Sequence, residues 1–168
     1  GSIVPQWHLC DKKIKSYAQM YGIEETKRAY LKELNGIISA GVLSTPIDLP
    51  RGHSSLPLMA LPSYKQQHDG IVKYRIVAGG NLQREGESFH LEDLPAPVMD
   101  RVPFRIVLCI AASHHCHVHT LDVTQAFLNA DMPDEVYVRP SPAWGLFGKV
   151  MRLLKALYGC RQSPALWY

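Results

Sequence analysis

The run Leu121-Asp122-Val123-Thr124-Gln125-Ala126-Phe127-Leu128-Asn129-Ala130 constrains this chain more than any other stretch. Residues 117–123 alternate, with Val118, Thr120 and Asp122 facing one way, which is the period of a β-strand. The pattern predicts a strand that delivers one carboxylate, Asp122, and then turns into a short apolar segment. A carboxylate at the end of a buried strand is costly unless it is paired or holds a metal. Taken alone, such an Asp is more often a turn residue or a helix cap. The neighbouring motifs therefore decide its meaning.

The chain has 168 residues, enough for one core, or for one domain and part of another. An apolar fraction of 46% with 20% charged residues excludes disordered and collagen-like classes. No apolar run reaches the roughly 18 residues of a membrane-spanning helix, so no membrane partner is expected. No charged start followed by an apolar stretch marks a secretory leader, although Gly1-Ser2 reads as a cloning scar and leaves a removed leader open. Cys10, Cys109, Cys116 and Cys160 form no CxxC pair, which predicts reduced thiols and an intracellular protein of cytoplasm or nucleus. The net charge of +3 is mild. From residue 136 onward, however, there is no Asp or Glu, while Arg139, Lys149, Arg152, Lys155 and Arg161 alternate with Tyr137, Trp144, Phe147, Tyr158, Trp167 and Tyr168. Such a segment suits phosphates and bases; a solvated basic face is the commoner explanation.

Residues 3–21 show no clear period and read as an arm. Residues 23–40 read as an amphipathic helix, with Glu24 and Glu25 in its first turn, Tyr30, Leu31, Leu34, Ile37 and Ile38 at helical spacing, and Gly41 as its terminator. Gly36 is an unfavourable interior residue there. Residues 56–63 and 71–78 read as two strands joined by the turn signal His68-Asp69-Gly70. Residues 101–113 read as a helix with Phe104, Val107, Leu108 and Ala111 on one face, residues 135–139 and 149–153 as strands, and residues from 163 as a helix with Ser163 as N-cap and Pro164 at its first position.

Further motifs surround Asp122. They are Lys73-Tyr74-Arg75-Ile76-Val77-Ala78-Gly79-Gly80-Asn81-Leu82-Gln83, Ala96-Pro97-Val98, Glu135-Val136-Tyr137-Val138-Arg139-Pro140, Lys149-Val150-Met151-Arg152-Leu153, Leu157-Tyr158-Gly159-Cys160-Arg161-Gln162-Ser163-Pro164 and Trp167-Tyr168. In this order and spacing, over residues 23–168, they resemble the reverse transcriptase of copia-type LTR retrotransposons. Its patterns are K-A-R-L-V-A-R-G-x-x-Q, A-P-V, L-D-V-x-x-A-F-L-N-G, E-[IV]-Y-[MIV]-x-x-P, K-V-x-x-L and L-Y-G-L-K-Q-x-P.

The resemblance implies an α+β fold like the fingers and partial palm of a right-handed polymerase. Residues 1–22 would be scar and arm, 23–97 fingers-like, 98–130 palm-like with the first catalytic motif, 131–162 a return to the fingers, and 163–168 the start of a palm helix. It implies RNA-directed DNA polymerase chemistry on a template-primer of RNA or DNA with a deoxynucleoside triphosphate, using Mg²⁺, or Mn²⁺ in its place. Asp122 would be catalytic and a metal ligand, and the Val123 carbonyl would face the same metal. Phe127 would pack under the incoming sugar and clash with a 2′-hydroxyl. Lys73 and Arg75, sharing one strand face, would meet the triphosphate. Tyr158, Gly159 and Arg161 would lie near the nucleotide and template, Gly159 allowing close backbone approach.

The departures from the family pattern are Gly79 in place of a basic residue, Ala130 in place of glycine, and Cys160 in place of a hydrophobic residue. No adjacent Asp pair occurs in the chain, and one carboxylate cannot fix two metals about 4 Å apart. The expectation is therefore that the isolated chain does not polymerise, and that its open end, residues 165–168, favours self-association or a protein partner. The alternative class is a repurposed, non-catalytic binder of nucleic acid or protein. His114-His115-Cys116-His117-Val118-His119 invites a zinc reading, but four ligands within six residues do not readily surround one tetrahedral ion. Histidines at a helix C-terminus explain the cluster better.

Overall fold

The computed structural model describes residues 12–65, 71–94, 96–141 and 144–168. The architecture is α+β. Two helices, α1 (Lys12–Tyr21) and α2 (Ile23–Ser39), precede a long hairpin of β1 (Ser55–Lys65) and β2 (Ile71–Ala78). Helix α3 (Arg101–Ser113) follows, then two short strands, β3 (Tyr137–Arg139) and β4 (Met151–Arg152), and a final turn of helix, α4 (Ser163–Trp167). The sheet order is β2-β1-β3-β4. β1 pairs antiparallel with β2 and parallel with β3, and β3 pairs antiparallel with β4.

Period decides which side chains enter the core. In β2, Val72, Tyr74, Ile76 and Ala78 are buried, and Lys73 and Arg75 between them are exposed, as alternation requires. In α2, Thr26, Tyr30, Leu34 and Ile37 form the buried stripe. These two faces meet, and Trp144 Nε1 donates to Tyr30 Oη across the core at 2.9 Å. The left-handed Gly41, at φ 67°, ends α2 with its N–H on the Ile38 carbonyl.

Three sequence expectations need correction. Part of the supposed arm is α1, whose Ile14 and Ala18 are buried and whose Tyr17 and Tyr21 pack against the core beside them; these four stand at i, i+3, i+4 and i+7, a helical period that the arm reading overlooked. Residues 117–123 form no strand. They are exposed and unpaired, so Asp122 lies at the surface rather than at a buried strand end. Alternation is a local pattern, and a strand also needs a pairing edge; none of the described strands offers one there. Helix α3 keeps the expected bounds, with Asp100 Oδ1 accepting from the Arg101 N–H at 2.6 Å, and no residue of it is buried. Ser163 is the first helical residue rather than the cap, and its Oγ donates back to the Leu157 carbonyl at 2.7 Å. The expected turn at residues 68–70 lies outside the described residues.

Cys160 is buried, and burial pushes its thiol up to about 12. Thiolate is the reactive form. Brief iodoacetamide treatment of the native protein at pH 8 should therefore modify the exposed Cys109 and Cys116 and spare Cys160. Peptide mass spectrometry reads the result, and Cys160 should label only in denaturant.

Candidate functional site

The exposed face of β2, the turn before α4 and the short 3-10 turn Ala126–Asn129 converge on one corner. The Arg75 guanidinium lies 5.6 Å from the centre of the Tyr158 ring, within the range of a cation–π contact. The Phe127 ring sits 5.0 Å from that of Tyr158 at an interplanar angle of 51°. Burial raises the Tyr158 hydroxyl above the usual tyrosine range; the positive charge of Arg75 opposes the shift, and the negative charges of Glu33 and Asp122 add to it. The exposed Asp122 is thus close enough for its charge to reach the corner.

Beneath the rings the two segments join backbone to backbone. The Ala78 N–H donates to the Tyr158 carbonyl at 2.8 Å. Gly159 has φ 95°, and a Cβ there would stand 2.1 Å from the Ala78 oxygen. A Cβ on Gly80 would stand 1.8 Å from the Gly159 oxygen. Only side-chain-free residues allow this crossing. Gly79 is closed in as well: its N–H donates to the Pro57 carbonyl at 2.9 Å, and a Cβ would lie 2.8 Å from Pro57 Cγ. Where the copia-type motif has a basic residue, this chain has a buried glycine packed on proline.

A polar network holds the joint. Gln162 is fully buried. Its Nε2 donates to the Ser88 carbonyl at 2.8 Å and to Asp134 Oδ2 at 2.9 Å, with Met132 Sδ at 3.5 Å. Its Oε1 accepts from Gln83 Nε2 at 2.9 Å. Gln83 Oε1 accepts from the Arg161 backbone N–H at 2.7 Å. The Arg161 side chain donates through Nε to the Gly80 carbonyl at 3.2 Å and lies over the Phe89 ring at 5.0 Å.

The candidate residues thus fall into groups. Arg75, Phe127 and Tyr158 are in one cluster, with Gly159 in the joint below. Lys73 is exposed on the strand face of Arg75. Arg161 packs against Phe89 and Gly80. Asp122 and Val123 lie on the exposed segment leading to Phe127. Among the described residues, no three His, Cys, Asp or Glu side chains gather as metal ligands. A lone exposed carboxylate does not build a two-metal centre. The histidine-rich segment at 114–119 forms no such cluster either.

The sequence profile described as reverse transcriptase (RNA-dependent DNA polymerase) matches residues 43–168. The chain belongs to the reverse transcriptase family. Its kinship is with copia-type retrotransposon polyproteins. It is 30% identical over 152 residues to the transposon Ty1-BL Gag-Pol polyprotein of Saccharomyces cerevisiae, covering 86% of this chain and 8% of that protein. It is 35% identical over 130 residues to the retrovirus-related Pol polyprotein from transposon TNT 1-94 of Nicotiana tabacum, covering 73% of this chain and 10% of that one. The chain therefore spans about a tenth or less of these relatives' length. No solved structure matches it. Among the described residues no helix is long and apolar enough to cross a membrane.

Sequence reasoning singled out Gln83 and Gln162 only as letters of motifs, and missed Glu33, Gly36 and Gln125 as parts of the corner. Glu33 is half-buried; burial raises its carboxyl above the usual range, and hydrogen bonds from Gln125 and the Ile76 backbone, with the Arg75 charge, hold it back. No local pattern announces a contact between a helix and a turn 92 residues away.

Proposed function

We propose that this chain supplies the fingers and part of the palm of a copia-type RNA-directed DNA polymerase, and that its corner receives the incoming deoxynucleoside triphosphate. The fingers would comprise residues 23–97 and 131–162, and the palm residues 98–130 and the helix that opens at Ser163. The observation that carries the reading is the cluster of Arg75, Tyr158 and Phe127. A guanidinium beside two rings offers a phosphate partner next to surfaces on which a sugar and base can rest. Lys73 adds a second cation to the same face. Phe127 would crowd a 2′-hydroxyl. Gly159 brings the Tyr158 carbonyl and ring close to the strand that carries Arg75.

In the polymerase reaction a primer 3′-oxygen bonds to the α-phosphorus while the bond to pyrophosphate breaks. The chain's own residues bind and orient the nucleotide for that displacement, and Asp122 offers one carboxylate beside it. Since one exposed carboxylate does not fit a two-metal centre, the Mg²⁺ or Mn²⁺ expected from the resemblance enters no step derived from these residues.

The test is titration of the 168-residue chain with dATP, followed by backbone amide shifts. Wild type should bind, and Arg75→Ala should bind about tenfold more weakly, as expected for loss of one charge-assisted contact worth roughly 1.5 kcal/mol. Affinity should fall with added salt. Equal affinity in Arg75→Ala sinks the assignment of the corner. One observation favours the second reading, a non-catalytic binding module: Val102, Phe104, Ile106, Val107 and Ile110 of α3 are all more than half exposed. Salt-insensitive capture of a protein, without nucleotide binding, would establish it.

A further inference from the structure

Residues 98–124 contain no buried side chain; the chain rejoins the body of the molecule at Gln125. That residue is left-handed, at φ 53° and ψ 42°, although it is not glycine. Such a conformation costs about 1 kcal/mol or more and persists where the surroundings over-determine it. Here they do. The Gln125 amide lies on α2 at Gly36, where a Cβ would stand 2.4 Å from Nε2 and 2.8 Å from Oε1. One helical turn earlier on the same face, Glu33 Oε2 is 3.5 Å from Gln125 Nε2. The Gln125 carbonyl then accepts from the Leu128 N–H at 2.9 Å, which closes the 3-10 turn carrying Phe127. The unfavourable Gly36 inside α2 thus has a use: it is a notch, and the amide fills it.

We propose that Gln125, latched into the Gly36 notch, is the positioning residue that sets Phe127 against Tyr158 and so governs discrimination between 2′-deoxy and 2′-hydroxy nucleotides at this corner. The discrimination half rests on the nucleotide-binding reading above; the latch does not. Gln125 touches neither ring in this scheme and acts through the turn. Three residues before it, Asp122 is carried by the same short segment, so the latch also limits where that carboxylate can stand.

Two variants test it. Gly36→Ala fills the notch, although alanine favours a helix interior by about 1 kcal/mol. Gln125→Gly removes the amide and tolerates the left-handed backbone. Both should abolish the nuclear Overhauser contacts between the Phe127 and Tyr158 rings while leaving those between β1 and β2 intact. Retained ring contacts in either variant overturn the latch. So does global loss of signal dispersion in Gln125→Gly, which would make the residue a general stabiliser. On titration with dATP and ATP, wild type should prefer dATP, and Gln125→Gly should reduce that preference at least threefold. An unchanged preference alongside lost ring contacts overturns the discrimination half. Equal affinities in wild type would refute the assigned role of Phe127, and the ring contacts would still decide the latch.

Discussion

Gly159→Ala is expected to destabilise the chain by about 3 kcal/mol, the sum of a left-handed backbone penalty and a direct clash. At this length that lowers the melting temperature by roughly 10 °C. The reason is local and severe. The new Cβ would approach the Ala78 oxygen to 2.1 Å, and that oxygen belongs to the core end of β2 rather than to a flexible side chain. Gly80→Ala should behave similarly from the other side of the crossing, since its Cβ would meet the Gly159 oxygen at 1.8 Å. Gly86→Ala is the control: φ is 77° but nothing lies within 4 Å, so only the backbone penalty of about 1 kcal/mol applies. Thermal unfolding by circular dichroism separates them. A Gly159→Ala shift no larger than that of Gly86→Ala would mean that the segments do not cross as described.

The second large effect is at Gln162. Gln162→Leu keeps the bulk, but takes one buried acceptor from Gln83 Nε2 and the Gln162 donor from the half-buried Asp134 Oδ2. Gln83 Nε2 keeps the Ser88 carbonyl at 3.0 Å and Asp134 is half-buried, so a loss of about 1–3 kcal/mol is expected from urea unfolding. Gln83→Leu should cost a comparable amount. The double variant should cost less than the sum, because the partners are then removed together, with a coupling of about 0.5–3 kcal/mol. Strict additivity would show that the two amides do not share one network. The arrangement also ties the site to the core: the same Gln83 holds the Arg161 backbone, two residues from Gly159.

Much of the fold was legible along the chain. The stripe of α2 and the alternation of β2 follow from periods of 3.6 and 2, and the structure keeps both. The bounds of α3 were legible because its apolar residues recur at helical spacing over neighbouring residues. Its exposure was not, because burial depends on what else is nearby. The segment at 117–123 shows the opposite failure: its alternation is that of a strand, but pairing is a long-range event and no described strand lies beside it. Kinship was legible because motif order survives without knowledge of contacts. The corner was only half legible. Lys73, Arg75, Phe127, Tyr158 and Gly159 came from motifs, whereas Glu33, Gly36 and Gln125 have no shared pattern. They are joined only where α2 passes the 3-10 turn.

Asp122 therefore keeps its place in the motif but not its predicted surroundings. By itself, the sequence determined membership of the reverse transcriptase family, the α+β class and the cationic face of β2, since these rest on residue identity and short-range period. Only the tertiary structure decided that Gly159 crosses Ala78, that two distant glutamines share one network, and that Gln125 fills a notch in α2. Each of those depends on atoms brought together across some 80 to 90 residues of chain. Close packing fixes such contacts once the fold has formed, and no local preference encodes them.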